Sequence, residues 1–161
     1  LGQHDGQRVG LLARRAAGAP HTDGCRRGQL GDALGEHLVA EVFWRRLASA
    51  PPVLHDSDDP ANRVIEVLQH IAMLMADEPE FAGAVTNALL GRDPDVELLR
   101  QRIGLEIRAR LGTALGARTD EDVIDTLEML YAGALVRAGM AYTSYDDIAR
   151  RLEKSARLML D

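Results

Sequence analysis

Apolar residues over most of this chain recur every three or four positions, the spacing of one face of an α-helix. The pattern starts at Leu34. In "ALGEHLVAEVFWRRLASA", Leu34, Leu38, Val42 and Leu47 fall near one face, with Phe43 and Trp44 beside it. Ala50-Pro51-Pro52 stops that helix, because a residue before proline is pushed out of the helical region. "VLHDSDDPAN" reads as a loop, and Asp59 followed by Pro60 is a helix start: a capping side chain, then a proline whose missing N–H costs nothing there. The helix that follows carries Val64, Val67/Leu68, Ile71 and Leu74/Met75 at helical spacing. Pro79 opens the next, which Gly91 closes, and Asp93-Pro94 repeats the cap-and-proline signal. Val96, Leu99, Ile103, Ile107 and Leu111 then step by three or four up to Gly116. Thr119-Asp120-Glu121-Asp122 places a cap and acids at the positive end of a helix dipole, predicting a helix over about 120–142. Thr143 or Ser144 caps a last helix, with Asp146 and Asp147 in its first turn.

These are six helices after Leu34, with no alternating strand pattern and no repeat. The expected fold is all-α, a helical bundle. The first 35 residues differ: they hold eight of the 15 glycines and no sustained helical period. "LLARRAAGA" (11–19) predicts a short helix, and "HTDGCRRGQLGD" predicts a loop.

Composition narrows the picture. A chain of 161 residues suits one compact domain, or one with a small appendage, and at this size it buries roughly 68–70% of its unfolded surface. Aromatic residues make up only 4%, so the core is aliphatic and Ala-rich, which favours helices. The one cysteine, Cys25, excludes an intrachain disulfide and points to a reducing, cytoplasmic setting. No apolar run approaches the ~20 residues of a membrane span, so no membrane partner is expected, and no signal-peptide core is visible at the start. Charge is uneven. Residues 1–50 carry seven arginines against five acids, a net +2; the remainder carries twelve bases against twenty acids, a net −8. The basic end hints at an anionic partner.

Catalytic chemistry is missing. The histidines at 4, 21, 37, 55 and 70 do not fall into metal-ligand spacing. His37/Glu41 and Glu66/His70 are i,i+4 pairs that read as helix-surface pairs, and the Glu-x-x-His of di-iron bundles is absent. No phosphate-cradling glycine loop and no nucleophile elbow occur. Cys25 reads as a chance free thiol, so neither an enzyme nor a cofactor is expected. Soft or large apolar groups remain: Met73, Met75, Met129, Met140, Phe43, Trp44, Phe81 and Tyr131. They read as core, or as the lining of a cavity for an apolar guest.

The closing pair, "YAGALVRAGMAYTSYDDIARRLEKSARLML", has more apolar surface than one neighbour covers. Val123, Leu127, Leu130/Tyr131, Ala134 and Ala138 form one stripe; Met129, Gly133, Val136 and Met140 form a second beside it. Each glycine costs a helix ~1 kcal/mol, so Gly133 and Gly139 imply a closely approaching neighbour. The last helix adds Tyr145, Ile148/Ala149, Leu152, Ala156 and Met159/Leu160. Two such helices can pack on the same pair of a second copy, giving an isologous four-helix interface. The expected interface residues are Met129, Gly133, Val136, Met140, Ile148, Leu152, Ala156 and Met159.

The helix order, the proline-bounded "DEPEFAGAVTNALLGRDPDV" and the closing pair resemble the C-terminal domain of TetR-family transcriptional regulators. The nearest type is the actinobacterial regulators of lipid and steroid catabolism, and the resemblance covers about residues 38–160. It implies a bacterial, ligand-responsive repressor that binds operator DNA as a homodimer and is released by a small apolar effector. "EHLVAEVFWRRLA" would be the helix linking the DNA-binding head to residues 37–161, the effector-binding and dimerisation domain. Trp44, His70, Met73, Phe81, Val85, Ile107 and Tyr131 are the expected effector contacts. "LLARRAAGA" echoes the family's Ala-Arg-Arg-Ala-Gly stretch, but "PHTDGCRRGQLGDALGEH" lacks the family's Tyr-x-x-Phe and Ser-Lys elements. Residues 1–36 therefore read as a remnant or altered head, either truncated or read from another frame. Arg14, Arg15, Arg26 and Arg27 are its candidates for phosphate contacts. The competing expectation is a dimeric helical ligand-binding or scaffold module with no DNA role.

Overall fold

The computed structural model describes residues 22–53, 57–118, 120–140 and 143–160. The chain divides into two compact units, Leu1–Asp32 and Ala33–Asp161. The short helix expected at 11–19 lies outside the described residues, as do Arg14 and Arg15. Six α-helices are described, and no strand occurs among the described residues: α1 (Thr22–Ser49), α2 (Pro60–Met73), α3 (Pro79–Leu90), α4 (Pro94–Leu115), α5 (Glu121–Gly139) and α6 (Tyr145–Leu160). The fold class is all-α, as the periodicity implies.

Two expectations for α1 are corrected. Residues 22–32, read as loop, are helical. Their glycines lower helix propensity, yet extending an existing helix needs no new nucleus and gains a hydrogen bond for each added residue. The inward face also differs. Leu34 and Leu38 are exposed, while Ala40, Phe43 and Leu47 are fully buried. The inward face thus begins at Ala40, at the spacing 40, 43, 47.

The helix boundaries follow local chemistry. Asp59 Oδ1 accepts the Ala61 N–H at 3.1 Å, Asp93 Oδ1 the Asp95 N–H at 2.8 Å, and Asp120 Oδ1 the Asp122 N–H at 2.9 Å. Ser144, and not Thr143, caps α6: its Oγ accepts the Asp147 N–H at 3.2 Å. Each such cap satisfies a donor that the helix itself leaves orphaned.

Helix α2 lies at the centre of the Ala33–Asp161 unit, packing on α6 and α4, while α5 packs on α3, α4 and α6. Seven of its 14 residues are buried, among them Val64, Leu68 and Ile71. These join Phe43, Leu47, Val85, Ile107, Leu111, Leu127, Tyr131 and Leu152 in one aliphatic core. A smaller cluster of Ala40, Ala88, Val96 and Leu99 joins α1, α3 and α4, and Trp44 packs against both.

Three arginines close helix ends from a distance. Arg63 Nε donates to the Ala114 carbonyl at the end of α4 at 2.7 Å. Arg100 donates to the Gly91 carbonyl beyond α3 at 2.9 Å and to the Asp93 carbonyl at 3.1 Å. Arg110 Nη2 donates to the Leu47 and Ala50 carbonyls at the end of α1, at 2.9 and 3.0 Å. A cation at the negative end of a helix gains from the dipole as well as from the hydrogen bond.

Candidate functional site

Helices α5 and α6 form an open groove of about 530 Å³. Its apolar floor includes Leu130, Ala134, Ile148 and Leu152, and Arg137, Arg151 and Lys154 add positive charge to its walls. Met129 is 68% exposed and Leu158 79% exposed, both lining it. Met140, the residue that follows α5, is also exposed.

The expected interface residues divide. Met129 and Met140 lie outward, and Gly133 is exposed with nothing within 4 Å of where a Cβ would stand. Val136 and Met159 are half-buried. Ile148, Leu152 and Ala156 are buried within the chain itself, in the core that α6 shares with α2. Ile148 and Leu152 still reach the groove floor. The two glycines also part company. A Cβ on Gly139 would stand 2.5 Å from Thr86 Oγ1 and 2.7 Å from Thr86 Cβ. The close neighbour of Gly139 is therefore α3 of the same chain. Gly133 has no such neighbour.

The expected effector contacts mostly belong to the interior. Val85, Ile107 and Tyr131 are buried in the main core, and Trp44 and Phe81 pack against it. Phe81 lies under the Arg46 guanidinium, 4.3 Å from its ring centroid, and Arg46 also pairs with Glu78 at 2.8 Å. Arg46 holds the Glu78 carboxyl below its ordinary range by this hydrogen bond. Met73 is 45% exposed at the end of α2 and does not point inward. None of these seven residues lines the α5/α6 groove or the second cavity described below.

Two polar atoms within this set have no partner. The Tyr131 hydroxyl and His70 Nε2 are buried without a hydrogen bond. An unmet buried group costs about 1–3 kcal/mol, so each marks a local deficit in an otherwise aliphatic core. Burial, with a smaller contribution from Tyr145, pushes the Tyr131 phenol far above its ordinary range.

A second cavity, of about 360 Å³, lies at the C-terminal end of α1. Ala48, Ala50, Pro52 and Val53 form one side, with Val67 from α2. Helix α4 supplies Glu106, Ala109, Arg110 and Thr113. Arg110 Nε pairs with Glu106 Oε1 at 2.8 Å, while its Nη1 is buried with no acceptor. Sequence reasoning missed this site. Its only local signal is the i,i+4 Glu106/Arg110 pair, which looks like any helix-surface pair.

On α4 and α5, Arg108 bonds Asp125 at 2.6 Å and Glu128 at 2.9 Å and also pairs with Glu121. These acids raise its already high pKa. Of the i,i+4 histidines, His37 donates from Nδ1 to the Asp95 carbonyl at 3.1 Å. No group of three or more His, Cys, Asp or Glu able to hold a metal occurs among the described residues. No helix among them is long and apolar enough to cross a membrane. Arg26 and Arg27 lie on α1.

No protein-family model matches the chain. It is 40% identical over 146 residues to an uncharacterized HTH-type transcriptional regulator of Mycobacterium bovis and to its counterparts in two strains of Mycobacterium tuberculosis. The alignments take in 89% of this chain and 66% of each relative, so the chain spans just under two thirds of the length of the proteins it matches. Over that length the chain is a homologue of HTH-type transcriptional regulators.

Proposed function

We propose that this chain is the effector-binding and dimerisation part of a TetR-family repressor. It pairs with a second copy through the outer faces of α5 and α6. The paired protein holds two-fold operator DNA and is released when a small apolar effector binds among the helices of each subunit. An effector acts here by favouring the conformation in which the two DNA-binding heads no longer match the operator spacing. The protein acts by binding and not by catalysis.

The observation that carries this reading is the exposed apolar groove of α5 and α6, in a chain homologous to regulators. Met129 and Leu158 stand outward in the groove that Gly133 also lines, and nothing lies within 4 Å of where a Gly133 Cβ would stand. Exposed patches of this kind mark interaction sites. A two-fold pairing would place each groove against the same surface of its partner.

Native mass spectrometry and sedimentation of the chain test it directly. A dimer is expected, and Gly133→Arg should convert it to a folded monomer. A wild-type monomer at tens of micromolar would sink the pairing. For the whole regulator, the matching test is operator binding by the longer relatives and its loss on adding effector.

A further inference from the structure

We propose that the second copy lays its α5 antiparallel on α5 of the first, with the two-fold axis passing between Met129 and Leu130, so that Asp122 of each copy pairs with Arg137 of the partner subunit. The proposal rests on the self-pairing proposed above and says where along the groove the partner sits.

Five residues of α5 carry the argument. Asp122, Thr126, Met129, Gly133 and Arg137 follow one another by four, three, four and four positions, so they share one face of the helix. All five are exposed. The face has a direction: an acid near its start, small or apolar residues in the middle and a base near its end. Asp122 and Arg137 are 15 residues apart, about 22 Å along the helix at ~1.5 Å per residue. Neither has an ion-pair partner among the described residues, whereas the neighbouring acids Glu121 and Asp125 are held by Arg108.

A two-fold axis across the helix reverses the direction of the second copy. It sets the acidic start of one face on the basic end of the other only when it crosses midway between the two charges, which is between Met129 and Leu130. Met129 then meets the same residue of the partner, and both are covered. The register also sets Gly133 opposite the partner's Thr126. Nothing lies within 4 Å of a Cβ at Gly133, so the threonine has room there. An axis through Gly133 would instead set Met129 against the partner's Arg137 and leave Asp122 unpaired.

The rest of the groove favours the same choice. Arg137, Arg151 and Lys154 all line it, and no acid pairs with them among the described residues. An axis through the groove-lining stretch 148–158 of α6 would bring Arg151 and Lys154 of the two copies face to face, and like charges opposed across an interface suppress pairing. Centring the pair on α5 avoids this and carries the partner's acidic helix start to the basic end of the groove.

Sedimentation of the full chain tests the register by exchange of charge. Asp122→Arg opposes arginine to arginine, and Arg137→Asp opposes acid to acid. Each variant alone should self-associate at least tenfold more weakly than the wild type. Mixed in equal amounts, the two should pair with each other at near wild-type strength, because the mixed pair opposes base to acid at both contacts. A folding defect in either variant would not recover on mixing. In a Cys25→Ser background, Met129→Cys should form an interchain disulfide on mild oxidation. Gly133→Cys should not, since its two copies would lie about 10 Å apart along the helices, beyond disulfide reach. Single reversals that pair like the wild type, no recovery on mixing, or a disulfide at 133 and not at 129 would overturn the register and leave the dimer standing. A wild-type monomer would remove the pairing itself, and the register with it.

Discussion

Helices α2 and α5 are both rich in apolar residues, yet the chain uses them differently. Seven of the 14 residues of α2 are buried, walled by α4 and α6. Only four of the 19 residues of α5 are buried: Ile124, Leu127, Tyr131 and Ala138. Its other apolar stripe, with Met129 and Met140, faces outward. One helix is completed by its own chain. The other carries apolar surface that its own chain leaves uncovered, and that surplus is the physical basis of the pairing proposed above.

The contrast can be broken at several points. The largest effect is expected at Leu68, fully buried in α2. Leu68→Ala should cost about 2–5 kcal/mol in urea unfolding, the transfer loss plus a cavity. Within α5 itself, Gly139→Ala drives a methyl into Thr86 and should cost about 1–3 kcal/mol. Gly133→Ala meets nothing and should stabilise the single subunit by up to ~1 kcal/mol. That gain should vanish at concentrations where pairs form, if the outer face of α5 is the interface.

Asp120→Ala removes the cap of α5 and should cost about 1 kcal/mol by thermal melting. Tyr131 gives a pH signature. Its folded pKa is raised by burial, so the phenol stays protonated in the fold where the unfolded chain ionises. Its contribution is fully present below the unfolded value of about 10 and is lost as pH rises beyond it. Tyr131→Phe should flatten the alkaline loss of stability above about pH 10 in a pH series of urea melts. The smallest effect is expected at Met129. Met129→Gln should change subunit stability by no more than about 0.5 kcal/mol while loosening self-association, seen by sedimentation.

Features set by neighbouring residues were legible in the sequence. The caps at Asp59 and Asp93 are local chemistry, and they fixed two helix starts; the stretch from Thr119 to Asp122 marked a third, which the structure caps with Asp120. The all-α class followed from periodicity alone. Orientation was harder. Ile148, Leu152 and Ala156 form one apolar stripe on α6, and a stripe does not say whether its partner is α2 of the same chain or a second copy. Leu34 and Leu38 fit the helical spacing of α1 but lie on its exposed side. The seven expected effector contacts rest on side-chain type and an inward-facing position. The structure puts most of them in or against the core, because large soft residues suit packing and ligand lining equally well. The cavity at Arg110 depends on residues more than 40 positions apart meeting in space, from Ala50 and Val67 to Ala109, which no local pattern records.

The arginines that close helix ends bear on how the molecule opens. Arg100 and Arg110 both project from α4, to the ends of α3 and α1, and α4's own end is held by Arg63 of α2. In most proteins helix termini fray one at a time, at little cost. Here the terminal turns of α1 and α3 are latched to a third helix. Amide hydrogen exchange at Ala50 and Gly91, whose N–H groups close those last turns, should therefore slow or quicken together with α4 and not follow the fraying of each helix alone.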